Sequence, residues 1–462
     1  MKPYLLVDFG STYTKLTCVD LDGQYIIGTS KAPTTVETNV LDGYDRALEW
    51  LMKDHPEITE ISGISACSSA AGGLKMAAIG LVEELTVEAA KRTCLGAGAI
   101  VKIVFSHHMT KREAKKLKES DIDIVLLAGG TNGGNKECII HNAEKLKQVG
   151  IEVPVIIAGN KDAQDEIDDI LEDSGIEYFI VENVMPKLKM LNVKEAKHVI
   201  RKIFIDKIIE AKGIKKAEEK IGEIIMPTPE AVLLAAELLS NGYEDEEGYG
   251  ELMIVDIGGA TTDVHTMGDG YPKRTEVVLK GLQEPFAKRT VEGDLGMRYS
   301  ANALLSLVTN FEFKKYFEED DDCDHDIQTS LQRRAREVDF LPKTKDEEEF
   351  DKAIAKICCD MSMSRHVGHV EVIHTPLGEM YYQTGKDLTD LKYVIGTGGV
   401  LINHGDAKKI LKQVNKKSDK KLELRPANPS ILIDKSYILA AMGLLSQKYP
   451  KVALKMMKQY LM

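Results

Sequence analysis

The feature that most constrains this chain is a strand-and-turn pattern written twice, DFGSTYTK at residues 8–15 and DIGGATTDV at residues 256–264. In each copy an apolar run, Tyr4 to Val7 or Leu252 to Val255, delivers an aspartate. Glycine and hydroxyl residues follow, then a second alternating run, Lys15 to Val19 or Asp263 to His265. Period-two patterning on both sides of a short polar turn predicts a β-hairpin. A turn rich in glycine and hydroxyls exposes backbone N–H groups that suit a phosphate. One such hairpin is an ordinary way to write antiparallel strands, but two predict a duplicated building block. A third signal, YVIGTGGVLI at 393–402, ends an apolar strand in Gly396, Gly398 and Gly399. There the missing Cβ lets backbone approach a flat ligand.

The order and spacing of these three segments resemble the phosphate-1, phosphate-2 and adenosine motifs of the actin, Hsp70 and sugar kinase superfamily, over nearly the whole chain. The resemblance implies a two-lobed α/β fold, actin/Hsp70-like (ribonuclease H-like), that binds ATP with Mg²⁺. A carboxylate at the end of a buried strand is costly unless it meets a cation or donors. Mg²⁺ keeps most of its waters and takes one or two protein carboxylates, so Asp8 and Asp256, one per lobe, are the expected ligands or water-holders. Gly10, Ser11, Thr12 and Lys15 are the expected phosphate contacts of the first hairpin, and Gly258, Gly259 and Thr261 those of the second. Asp263 begins a strand and is read as ending the turn. Superfamily members that hydrolyse ATP orient the attacking water with an acid or amide near a linker helix. The local candidates are Thr228 and Glu230, although Glu230 also suits the positive end of a helix over 229–240.

At 462 residues the chain is too long for one core. The expected lobes are 1–245, carrying an α/β insertion at about 75–185, and 246–462. A net charge of −13 argues against a nucleic-acid binder. Without an apolar run of about 18 residues no membrane helix is expected, and the start leads straight into a strand. The expected location is cytoplasmic. The seven cysteines, Cys18, Cys67, Cys94, Cys138, Cys323, Cys358 and Cys359, show no paired metal-ligand spacing. They read as reduced structural thiols. Cys358 and Cys359, neighbours on a predicted helix, point about 100° apart, which disfavours joint ligation of an iron–sulfur cluster.

Strands and helices alternate regularly over 75–185, which predicts βαβ units and a parallel sheet. Residues 187–241 read mainly as helix, interrupted at Pro227 and Pro229, and 297–385 read as helical and polar. In the latter, the acidic run 318–322 and the basic Arg333, Arg334 and Arg336 read as a solvated face. Asp294 reads as the N-cap of a helix over 295–306. The loop GGTNGGN at 129–135 reads as a sharp turn, and His107, His108 and His404 as ordinary surface residues.

Four longer strings, ACSSAAGGLKMAAIGLV at 66–82, EAAKRTCLGAGA at 88–99, LLAGGTNGGN at 126–135 and VEGDLGMRYSA at 291–301, resemble the MutL or GlmL family of accessory proteins. This family is associated with adenosylcobalamin-dependent glutamate mutase and related aminomutases, and is unrelated to the mismatch-repair protein of similar name. The resemblance implies an ATP-dependent reactivating chaperone whose partners are adenosylcobalamin-dependent mutase subunits, with no nucleic acid and no membrane. The competing readings are a small-molecule kinase of the same fold, with Asp256 or Asp294 as general base, and an activator or scaffold without turnover. The DxHxxG string that many proteins use to ligate cobalamin is absent.

Overall fold

The computed structural model describes residues 1–10, 13–34, 40–68, 74–211, 224–317, 326–376 and 378–461. Ser11, Thr12, Cys323 and the acidic run 318–322 lie outside the described residues. The chain divides into two units, Met1–Ala231 with Gly281–Gln283, and Val232–Lys280 with Glu284–Met462.

In the first unit, β1 (Pro3–Phe9), β2 (Tyr13–Asp20) and β3 (Tyr25–Pro33) form an antiparallel meander. Next come β4 (Gly63–Ser68), β5 (Lys75–Gly80), β6 (Ile100–Ser106), β7 (Ile124–Leu127), β8 (Val155–Ile157), β9 (Tyr178–Ile180) and β10 (Ile224–Pro227). β4 runs parallel to β1 and β10 parallel to β4, so the first sheet reads β10-β4-β1-β2-β3. The other five strands form an all-parallel sheet, β6-β5-β7-β8-β9, crossed by helices as the alternating pattern predicts.

Alternate residues of that second sheet belong to different cores. Met76, Ala78, Ile124, Leu126 and Ile156 pack into the cluster that also holds Leu5, Val7 and Phe9 of β1. Ala77, Ile79, Val125, Leu127, Val155 and Ile157 face a separate cluster with Leu117, Ile139 and Leu146. Strands apolar on both faces are what a parallel sheet buried on two sides requires.

The second unit adds a short pair, β11 (Gly242–Tyr243) and β12 (Glu246–Glu247), then β13 (Leu252–Ile257), β14 (Thr262–Met267), β15 (Val277–Leu279), β16 (Ala287–Glu292), β17 (His369–Thr375), β18 (Gly378–Thr384), β19 (Tyr393–Thr397) and β20 (Ser430–Ile433). Its main sheet reads β16-β14-β13-β19-β20. β13, β14 and β16 are antiparallel, and β19 and β20 run parallel to β13. Strand for strand this repeats the first sheet. Three antiparallel strands followed by two parallel ones, present twice, is the duplicated ribonuclease H-like arrangement of the actin/Hsp70/sugar kinase fold.

Two segments depart from the sequence reading. The stretch 297–385 is not wholly helical, because β17 and β18 pair antiparallel inside it and β15 joins β18. Their β-branched and aromatic residues, Val370, Val372, Ile373, Tyr381 and Tyr382, favour a strand, and Gly378 turns between them at φ +120°. Likewise β10 interrupts the helical reading of 187–241. Among the described residues no helix is long and apolar enough to cross a membrane.

Candidate functional site

The two hairpin turns close in the same way. Gly10 N–H donates to Tyr13 O at 3.1 Å, and Gly258 N–H to Thr261 O at 2.9 Å. A Cβ on Gly10 would lie 2.6 Å from Tyr13 O, and one on Gly258 3.0 Å from Thr261 O. The glycines are therefore needed by the turn itself, and their N–H groups are engaged within it rather than offered to a phosphate.

Register gives the two aspartates corresponding neighbours in position, though not in chemistry. Asp8 stands opposite Lys15 on β2 and Cys67 on β4; Asp256 stands opposite Asp263 on β14 and Thr397 on β19. Asp8 is half-buried, and its Oδ1 accepts a 2.6 Å hydrogen bond from Thr228 Oγ1 and a 3.6 Å one from Cys67 Sγ. Burial, then the Asp8 charge, pushes the Cys67 thiol up, so it stays a neutral donor. Thr228 opens the helix Thr228–Asn241 directly after β10. Of the two linker-helix candidates, Thr228 is thus the one brought to Asp8. Both oxygens of Glu230 are taken by Arg201, Oε2 at 2.9 Å from Nε and Oε1 by Nη2.

Around the second hairpin, Thr261 Oγ1 donates to Asp263 Oδ2 at 2.9 Å, while Asp263 Oδ1 accepts from Nε and Nη2 of the buried Arg289 at 3.0 and 2.6 Å. Asp263 therefore does more than end a turn: it fixes the Thr261 hydroxyl. The string VEGDLGMRYSA backs the same turn. Met297 N–H and Arg298 N–H donate to Gly258 O and Gly259 O at 3.0 and 2.8 Å, and Ser300 Oγ donates to Ala260 O at 2.5 Å. Gly296 passes so close that a Cβ would lie 2.6 Å from the Ala260 carbonyl carbon. These backing residues carry no catalytic signature in sequence; only their proximity in the fold reveals them.

The three glycines after β19 differ in kind. A Cβ on Gly396 would meet Leu411, Leu401 and Ile433, so its bare side faces core. Gly398, at φ +97°, lies against the hairpin, where a Cβ would stand 2.4 Å from Ile257 O and 2.6 Å from Asp256 Oδ1. Gly399 is exposed, with open space where its Cβ would be. Buried Asp434, just after β20, accepts from Thr397 Oγ1 at 3.2 Å and from the N–H groups of Ile438 and Leu439 at 3.0 and 3.2 Å. It ties the glycine segment to the helix Leu439–Ser446.

Asp294 does not cap a helix over 295–306, where the described structure is a short 3₁₀ turn at Ala301–Ala303 and a helix at Leu304–Leu307. Its oxygens accept from Arg365 at 2.6 and 2.9 Å, which holds its carboxyl below the usual range. Arg334 is not solvated: it is buried, with Nε 2.6 Å from Asp351. His107 and His108 are exposed as expected; His404 is half-buried, accepting from Asp406 N–H. Cys358 and Cys359 lie in the core of the second unit, their thiols pushed up to about 12 by burial. Among the described residues no group of three His, Cys, Asp or Glu side chains forms a ready metal cage. A cation carried on nucleotide phosphates needs only one or two protein carboxylates and no such cage.

The model of the family described as MutL protein matches residues 4–461. This chain belongs to that family. Protein MutL of Clostridium tetanomorphum is 50% identical over 465 residues, covering 100% of this chain and 99% of that protein. Among solved structures, nucleotide-free acetone carboxylase is similar at a TM-score of 0.42 and 14% identity, over 96% of this chain and 70% of that one. A ligand-bound xylulose kinase from Lactobacillus acidophilus gives 0.35 and 11%, over 100% and 92%. Component A of (R)-2-hydroxyglutaryl-CoA dehydratase from Acidaminococcus fermentans gives 0.32 and 10%, over 98% and 100%. In this MutL family member the repeated strand order of the two sheets, rather than these distant likenesses, carries the fold.

Proposed function

We propose that this MutL family member binds and hydrolyses ATP to reactivate an adenosylcobalamin-dependent mutase or aminomutase, glutamate mutase or a relative, by releasing damaged cobalamin. The observation that carries the reading is the twinned hairpin: two turns closed by the same hydrogen bond, each following an aspartate at a strand end, in two sheets of identical order.

In this reading Asp8 and Asp256 are the residues that would hold Mg²⁺ carried in with ATP, which would neutralise phosphate charge. Lys15, Gly259 and the backbone of the turns meet the phosphates. The Thr228 hydroxyl fixes the Asp8 carboxylate, and the Asp263–Arg289 pair fixes Thr261. Gly398 gives Asp256 its room, and Gly399 offers an open backbone surface beside it. Glu230, clasped by Arg201, positions the helix that carries Thr228. An accessory protein that opens a partner must bind two of its states with different affinity, and ATP turnover supplies that difference.

The test is ATP hydrolysis by the purified protein alone and with glutamate mutase blocked by inactive cobalamin, with Asp8→Ala as control. Stimulation by the blocked mutase with recovered mutase turnover, both lost in Asp8→Ala, is the expected result. ATP hydrolysis indifferent to the mutase, together with Asp8-dependent phosphorylation of a small acceptor, replaces the reading with a kinase.

A further inference from the structure

Residues 408–421 hold seven lysines and one acid, Asp419, in a chain of net charge −13. They run from the helix Ala407–Leu411 through a 3₁₀ turn, Lys412–Val414, into a loop that returns at Arg425. The loop is nailed down. Buried Asp360 accepts from Lys417 at 2.9 Å, Lys420 at 3.3 Å, Arg425 at 2.7 Å and Tyr316 Oη at 2.6 Å. Fully buried Arg425 also donates to Gln413 O at 2.7 Å, and Lys416 N–H to Pro426 O at 2.8 Å.

Anchoring one side leaves the other strongly positive. Lys408, Lys412, Lys416 and Lys421 are exposed and, among the described residues, meet no carboxylate within ion-pair distance. Lys416, Lys417, Ser418, Lys421 and Ala427 line an open groove of about 480 Å³. Like charges four apart on a helical turn repel and add nothing to stability, and a rigid mount has already ordered the backbone that presents them.

We propose that this groove docks an acidic segment of a partner polypeptide. Charge complementarity identifies the occupant. A nucleic acid would carry its charge well past this short patch, along a chain whose net charge is −13.

The test is fluorescence anisotropy with a fluorescein-labelled octaglutamate peptide in 0.1 M salt, on the full-length protein. Wild type and a Lys111→Glu/Lys115→Glu/Lys116→Glu control on another basic helix should bind alike, with Lys412→Glu/Lys416→Glu/Lys421→Glu at least tenfold weaker. A Lys412→Gln/Lys416→Gln/Lys421→Gln protein, which removes the charges while keeping polar side chains, should also bind more weakly than wild type. No peptide binding by wild type, or equal weakening by the control triple, overturns the proposal. So does tighter binding of a single-stranded DNA of equal charge through the same lysines.

Discussion

Asp351 holds two guanidiniums, Arg298 Nη2 at 2.7 Å and Arg334 Nε at 2.6 Å, with Arg334 stacked 4.5 Å from the Phe350 ring. Removing a carboxylate from a buried pair strands the cations, so Asp351→Ala should lose about 3–5 kcal/mol in urea unfolding. A loss below about 1 kcal/mol contradicts the packing described. His265 is buried with Nδ1 unpartnered among the described residues, and burial, then Arg289, lowers its pKa to about 3 from 6.5. The unfolded chain therefore binds a proton that the folded one refuses between those values. Stability should fall as pH drops from about 6.5 towards 3 and be insensitive to this group above that window. His265→Phe should flatten the slope in thermal melts across pH, and an unchanged slope counts against the assignment. Such partners were invisible in the sequence. A cluster of three arginines on a predicted helix looks solvated until Phe340, Phe350 and Asp351 fold over one of them.

The hairpins were the most legible elements, because alternation and turn chemistry are local. What they did not reveal is how the turns close: the glycine N–H groups read as phosphate donors are engaged by Tyr13 O and Thr261 O. The β17–β18 pair was hidden by the polar residues on its strands, most of whose positions are exposed or half-exposed. The glycine segment after β19 gives a differential prediction. Gly398→Ala would drive a methyl into Ile257 O and Asp256 at a left-handed φ, whereas Gly399→Ala points into open space. In mant-ATP titrations the first should bind at least tenfold more weakly than wild type and the second within about threefold. Equal affinities would remove Gly398 from the site. If Glu230 acts by holding the helix that presents Thr228, Arg201→Ala should lower ATP hydrolysis as much as Glu230→Ala. A direct role for the carboxylate on the attacking water would leave Arg201→Ala much the milder.

At the scale of the molecule, the sequence carries the duplication because each half must begin with its own hairpin. It could not show that the α/β segment after β4 shares a core with β1, since that depends on which alternate residues face which layer. Nor does any periodicity name a partner. The reading that ATP turnover in a duplicated hairpin fold frees a cobalamin enzyme from dead cofactor is met most directly by one measurement. This is the recovery of turnover by hydroxocobalamin-blocked glutamate mutase supplied with fresh adenosylcobalamin, ATP, Mg²⁺ and this protein. The account predicts recovery that requires hydrolysable ATP and disappears in both Asp8→Ala and Asp256→Ala. Recovery without ATP, or none with any adenosylcobalamin-dependent mutase while ATP is still hydrolysed, would contradict it.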